Sequence, residues 1–460
     1  MVRRSLQEVS QRLVRALRRP LVVGEGKLNS TSATLASRGS LVSVALGFSL
    51  WMLKPVGDTW LTAFSYLLVL AAAALGALAH GAFIDYRIKL SFLGAVVVGV
   101  VGYAIGMSNG YTGAAPEFVF FVALPVLWAF FVGGLGTGAV RWVINAIPIA
   151  SIVLSLIGLL YWIGRVADSA AFDWFSIFGL GLGVWDQGYG WGMTYYPIST
   201  LLFVVPFLFI SIVVPGTYSW RPSKWAAGPA LGLAAGLMLV SGRRALFISL
   251  ALSIIVGAVA LFAGRTQRKI RRRLYVVGLV AIVGGVALSV LSRFSIAQMA
   301  GSLISEEMSG DSVRGRTTSA LIASWLQAPV FGHGLGAELR DFVRLDDGNL
   351  WAFEVQYHLV LNALGLVGLL VLGAGTALLL VLSVRAYKTD PETYPFLASL
   401  VVGTVAALIA NATNPYLHTP GHYWMLFLLV MGANGYLRDR HSKAIQVEED
   451  PTRVGVNAEE

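Results

Sequence analysis

Apolar runs long enough to cross the roughly 30 Å hydrocarbon core of a bilayer recur along this chain and leave it few ways to fold. They begin near Leu35, Thr59, Leu90, Phe118, Trp142, Pro197, Trp225, Ala245, Leu274, Gln356, Tyr394 and His422. Lipid offers the backbone no hydrogen-bond partner, so each run must satisfy its own amides, as an α-helix does and an open strand does not. The expected fold class is therefore all-α, a polytopic membrane protein with about 12 transmembrane helices. Composition agrees: 56% of the 460 residues are hydrophobic and 13% charged, too few polar groups to cover a soluble surface.

Basic residues orient the bundle. Arg87 and Lys89, Arg141, Arg221 and Lys224, the run RTQRKIRRR from Arg265, Arg385 and Lys388, and Arg438 and Arg440 fall in every second loop, which is the positive-inside pattern. Roughly 25 of the 34 Lys and Arg then lie inside, and both termini are expected to be cytoplasmic. Residues 1–34 read as a basic amphipathic arm on anionic headgroups, with no apolar signal core. Residues 35–438 hold the transmembrane domain, and 439–460 a cytoplasmic tail. The net charge of +10 is first a topology signal, and no basic domain stands apart to bind nucleic acid. The chain has no cysteine, which excludes disulfides and thiolate metal sites. No aspartate pair or histidine cluster is placed as a Mg²⁺ or Zn²⁺ site, so neither metal nor cofactor is expected.

Against the positive-inside bias stand Arg243 and Arg244, in LMLVSGRRALFIS, with no acidic residue beside them. They fall at the outer end of a tight hairpin between the expected seventh and eighth helices. Snorkelling at a helix end would make them an interfacial stop signal. The alternative is an anion site.

Two outer segments are long. Residues 164–196 contain GVWDQGYGWGMTYYP, with Trp185, Tyr189 and Trp191, rings that either stack on sugars or form an interfacial belt. Residues 293–353, a large periplasmic or extracellular loop between the ninth and tenth helices, mix Arg314 and Arg316 with many acids and are expected to form a folded polar cap. Within it TTSALIASWLQAPVFGHGLG reads as a short amphipathic helix ended before Pro329, then a glycine turn. Glu354 stands where the loop re-enters the membrane. A planar guanidinium suits a diphosphate, and a carboxylate beside a bound electrophile takes a proton from an attacking hydroxyl. Glu354 reads equally as a salt-bridge partner of a loop arginine. The interior helices show no buried acidic residue, glycine-broken half-helix pair or inverted repeat of the kind that marks a transport site.

In order, SGRRALF, SVRGRTTSALIASWLQAPVFGHGLG, FEVQYHLVLNALGLVGLL and NATNPYLHTPG resemble the O-antigen ligase and polymerase family of bacterial envelopes, mainly over residues 237–421. The resemblance implies a metal-independent, inverting glycosyltransferase of the bacterial inner membrane, with a polyprenyl-diphosphate-linked glycan as donor. It puts Arg243 and Arg316 on the lipid diphosphate, with Arg244 and Arg314 as helpers. The family's ligase histidine falls on Glu354, a departure that tilts the reading toward polymerase. His358, one helical turn further in, is a second proton acceptor or an interfacial histidine. His333, His418 and His422 fall where the family varies and read as loop residues. The implied partners are a glycan or lipid-anchored acceptor, membrane lipids and a chain-length regulator. The non-enzyme alternative is a transporter or flippase.

Because the chain lacks cysteine, single-cysteine labelling tests the orientation directly. A membrane-impermeant maleimide should label Glu338→Cys in intact cells and spare Lys388→Cys. The reverse pattern would invert the topology.

Overall fold

The computed structural model describes residues 21–23, 30–55, 59–178, 180–186, 191–214, 222–241, 246, 251, 255, 313–339, 351, 353, 355–391, 393–412 and 414–449. Its helices are α1 (Ser30–Leu53), α2 (Thr59–His80), α3 (Tyr86–Ser108), α4 (Ala114–Gly134, with one π-helical turn at Val119–Ala123), α5 (Thr137–Val166), α6 (Leu201–Val213), α7 (Lys224–Ser241), α8 (Val313–Trp325), α9 (Gln356–Thr389), α10 (Phe396–Ala410) and α11 (Trp424–Glu449). Seven are long and apolar enough to cross a membrane: α1 to α5, the span Tyr196–Val213 that contains α6, and α9. The protein is thus a mostly helical, multi-pass membrane protein. α7 and α10 are apolar but shorter, and α11 is apolar only in its first half. The runs expected from Ala245 and Leu274 lie outside the described residues.

The terminal helices run past both expected limits of the apolar domain. α1 starts at Ser30, not Leu35, because the helix continues into a polar first turn, STSAT, that hydropathy does not register. Part of the expected arm is docked: β1 (Leu21–Val23) pairs antiparallel with β2 (Ala82–Ile84). At the other end α11 runs through the expected boundary at 438 to Glu449, since RDRHSKA contains no helix breaker.

The core is aromatic. Phe48, Trp51, Trp128 and Trp424 are fully buried, with ring centroids of Phe48 and Trp51 5.1 Å apart, Trp51 and Trp128 5.3 Å, and Trp128 and Phe427 4.9 Å. These rings join α1, α4 and α11, each pair adding about 0.5–1.5 kcal/mol beyond its buried area. At one end of the bundle Asp85 caps α3 through Arg87 N (2.9 Å) and pairs with the Arg87 side chain (2.8 Å). Asn434 of α11 accepts from Asp85 N (3.0 Å) and donates to the carbonyls of Phe83 (2.7 Å) and Val132 (3.1 Å). Arg438 donates to the His80 and Gly81 carbonyls, and the Tyr394 hydroxyl to Asp439 (2.7 Å).

The opposite end holds a feature that corrects two expectations. Gly365, inside α9, has φ 64° and ψ −168°, a conformation open essentially to glycine alone. The helix is broken there, and the turn at residues 328–336 fills the break. Leu366 N and Val367 N donate to the carbonyls of Pro329 (2.9 Å) and Val330 (3.1 Å), while His333 N and Gly334 N donate to those of Asn362 and Ala363 (both 2.9 Å). Leu335 N reaches on to the Gly102 carbonyl of α3 (2.8 Å), and the Leu335 side chain is fully buried. The glycine turn is therefore a wedge between α3 and α9 rather than part of a polar cap standing off the membrane.

Gly365→Ala should destabilise the protein by more than about 2 kcal/mol, because its Cβ would run into the Val330 carbonyl and Gly332 N. Thermal unfolding in detergent checks it; a parent-like midpoint would refute the broken helix.

Candidate functional site

The polar groups at the wedge end come from separate parts of the chain. α8 lays Leu321 against Phe353, Val355 and Leu359 at the start of α9. Its first turn carries Arg314 and Arg316, and the Arg316 side chain is exposed beside the buried Thr317. Three contacts fasten the segment after α8: His333 Nε2 donates to the Ser324 carbonyl (2.8 Å), Asn109 Nδ2 to the His333 carbonyl (2.9 Å), and Thr112 Oγ1 to Glu338 (2.9 Å). His358 sits half-buried on α9, and its Nδ1 has no hydrogen-bond partner among the described residues. The Arg316 helix and the His358 helix are thus brought together. Arg243, Arg244, Glu354 and Tyr189 lie outside the described residues.

Trp185 and Trp191 fall on a short antiparallel hairpin, β3 (Gly183–Asp186) and β4 (Trp191–Thr194), with Asp186 opposite Trp191 and Trp185 opposite Gly192. Tyr195, just after β4, is buried and donates its hydroxyl to the Leu154 carbonyl of α5 (3.0 Å). This tether holds the hairpin at the start of the Tyr196–Val213 span.

Below α8 the bundle is hollow. A cavity of about 410 Å³ lies between α3, α4, α9, α10 and the connection into α11, walled by Phe92, Phe121, Leu372 and Phe427 among others. Its α9 wall runs from Gln356 to Leu380, roughly 36 Å at 1.5 Å per residue, close to the hydrocarbon thickness of a membrane. Gln356, Asn411, His418 and Tyr423 line the end nearest the start of α9; elsewhere the wall is apolar but for Ser91 and Thr376, whose hydroxyls donate to carbonyls of their own helices.

That head is built around a buried carboxylate. Glu117, 4% exposed in α4, meets His418 Nε2 with both oxygens, at 2.7 and 2.8 Å. A buried carboxylate is tolerated only with such a partner. His418 Nδ1 lies 3.0 Å from Gln356 Oε1, and its ring stands edge-on to Phe120 and Phe121. Asn411 Oδ1 accepts from Leu417 N (2.9 Å), setting the turn that delivers His418. Tyr423 donates to the Phe120 carbonyl (2.7 Å). Nearby, the fully buried His422 shares a 2.6 Å hydrogen bond with Ser199, whose hydroxyl donates to the Tyr196 carbonyl.

Glu117 overturns the expectation that the interior holds no buried acid, and one interior helix, α9, is broken at Gly365. His418 and His422 stand in the turns between α10 and α11, and His422 is fully buried there. The signal that could have exposed Glu117 is its position as the lone charge in AAPEFVFFVALP. Among the described residues no three acidic or histidine side chains converge as metal ligands. No protein-family model matches the chain, and no curated protein matches its sequence.

Gly373 lines the cavity, and a Cβ there meets nothing within 4 Å. Gly373→Leu should change stability by no more than about 0.5 kcal/mol while lowering the amount of lipid that co-purifies with the protein. Undiminished lipid would show that the cavity holds none.

Proposed function

We propose that the protein is a membrane glycosyltransferase that takes a polyprenyl-diphosphate-linked glycan as donor and passes the glycan to an acceptor sugar hydroxyl. The observation that carries the reading is a long, mainly apolar cavity with a polar head that begins at Gln356, in the first turn of α9, the part of that helix against which the arginine-bearing α8 packs. A lipid-linked diphosphate needs both, a groove for the chain and cations for the head. The four motifs shared with the O-antigen ligase and polymerase family support the same class.

In this reading the α8 end faces outward from a bacterial inner membrane, both termini are cytoplasmic, and about twelve helices surround the site. Arg243 and Arg316, helped by Arg244 and Arg314, neutralise the diphosphate as the bond from the sugar anomeric carbon to its oxygen breaks and the electron pair leaves with it. Glu354 takes the proton of the acceptor hydroxyl as the new glycosidic bond forms, with inversion. Trp185, Tyr189 and Trp191 stack on the sugars. Glutamate rather than histidine at 354 favours a polymerase, whose acceptor is the next lipid-linked repeat and whose product length a regulator protein sets. A ligase differs in using a lipid or other anchor as acceptor.

A second reading, transporter or flippase, draws on the Glu117–His418 pair and the break at Gly365, since intramembrane ionisable groups and interrupted helices recur at transport sites. Transport of labelled donor without glycan transfer would select it.

Arg243→Ala should cost about 10³-fold in transfer rate and Glu354→Gln about 10²-fold, at equal membrane abundance; the reverse order would exchange their weights. Cells whose sole copy carries Glu354→Gln should accumulate single lipid-linked repeats if the protein is a polymerase. Long polymer stranded on its carrier would identify a ligase, and an unchanged glycan profile would remove Glu354 from the chemistry.

A further inference from the structure

In the transferase reading above, the Glu117–His418–Gln356 cluster has no assigned role. His418 Nε2 faces the Glu117 carboxylate at 2.7 Å and Nδ1 faces the amide oxygen of Gln356 at 3.0 Å. As placed, both ring nitrogens face acceptor oxygens, an arrangement that a proton on each nitrogen would satisfy. Among the described residues Glu117, in α4, and Tyr423, whose hydroxyl is turned to the Phe120 carbonyl, are grouped around it. Gln356 and His418 both line the cavity, at the polar head of a channel whose other walls are mainly apolar. A largely apolar channel that ends in a carboxylate-backed histidine and two amides, Gln356 and Asn411, is the complement of a single-chain anionic amphiphile.

We propose that His418, held by Glu117, binds a lipid phosphate at the head of this cavity through Nδ1–H, with the phosphate oxygen taking the place of Gln356 Oε1. Gln356 then turns its amide nitrogen to the same phosphate. Resting on the transferase reading, the ring has a chemical use as well: when the bond from the anomeric carbon to oxygen breaks, the electron pair stays on the diphosphate and Nδ1–H passes its proton to that oxygen. The acceptor's proton resides on Glu354, and solvent exchange returns the two groups to their starting states. Acid and base then stand at separate points, one at the lipid head and one at the rim. Glu117 is a positioning residue, since it reaches the occupant only through the ring.

Nitrogen NMR of the full chain in detergent micelles, with ¹⁵N-histidine, reads the ring directly. With farnesyl diphosphate bound, the His418 ring should be doubly protonated. Farnesyl diphosphate should shift its Nδ1 resonance, and farnesol should not. His418→Gln should weaken farnesyl diphosphate binding by about 10- to 100-fold, the span of a hydrogen bond to a charged group. Glu117→Gln should move the Nε2 resonance and weaken the same binding. A neutral ring in the complex, or equal affinity in His418→Gln, would overturn the proposal. So would inorganic diphosphate binding as tightly as the farnesyl compound, which would leave the cavity no part. A parent chain that binds farnesyl diphosphate through His418 yet transfers no glycan would remove the transferase reading and leave the phosphate site standing.

Discussion

A helix broken inside a membrane releases amides and carbonyls that lipid cannot satisfy, each costing several kcal/mol. At Gly365 this protein answers that constraint by exchange. The two bonds an unbroken α9 would make, from 366 to 362 and from 367 to 363, are absent. Leu366 N and Val367 N go to the 329–330 carbonyls, and the 362–363 carbonyls accept from residues 333 and 334. Four bonds replace two, all to one turn, so the break exists only while the turn is in place. Because Leu335 continues to Gly102, the turn also clamps α9 to α3, the two helices that wall one side of the cavity.

Placement of the site follows from that clamp. α8 immediately precedes the wedge and packs on the residues just before and within the first turns of α9, so the wedge also fixes α8 against the start of that helix. The cavity head is completed from α4 and from the turn between α10 and α11, where one ion pair joins Glu117 to His418. The polar groups of this end are thus delivered by four distant stretches of sequence onto one wall. The rest of the cavity is walled mainly by apolar side chains.

Much of the fold was legible because hydropathy is a local property. The runs foreseen at Thr59 and Gln356 start where α2 and α9 start, and the others within the described residues fall on helices or directly before one. The loop helix before Pro329 was legible too, from its polar and apolar alternation and its proline stop. The interior chemistry was not. Glu117 stands one residue before the run expected at Phe118, outside what hydropathy marks as a span, while its partner is 301 positions away. Gly365 looked like an ordinary residue of a Gly-Leu-x-Gly helix, since nothing in the local pattern distinguishes a helical glycine from one held at positive φ by a distant turn. The turn glycines signalled a bend but not where it inserts.

Asn434 has a consequence for how the protein is made. Its side chain answers the Asp85 amide and the Phe83 and Val132 carbonyls, and Trp424 and Phe427, from the same helix, pack among the rings of α1 and α4. The helices α1 and α4 therefore enter the bilayer with a vacancy beside them and with backbone groups unanswered, and α11, whose Asn434 is made 302 residues after Val132, closes both. Until then the earlier helices exist as an open sheaf, which makes folding of the first half a late event in synthesis and exposes any prematurely ended chain to membrane quality control.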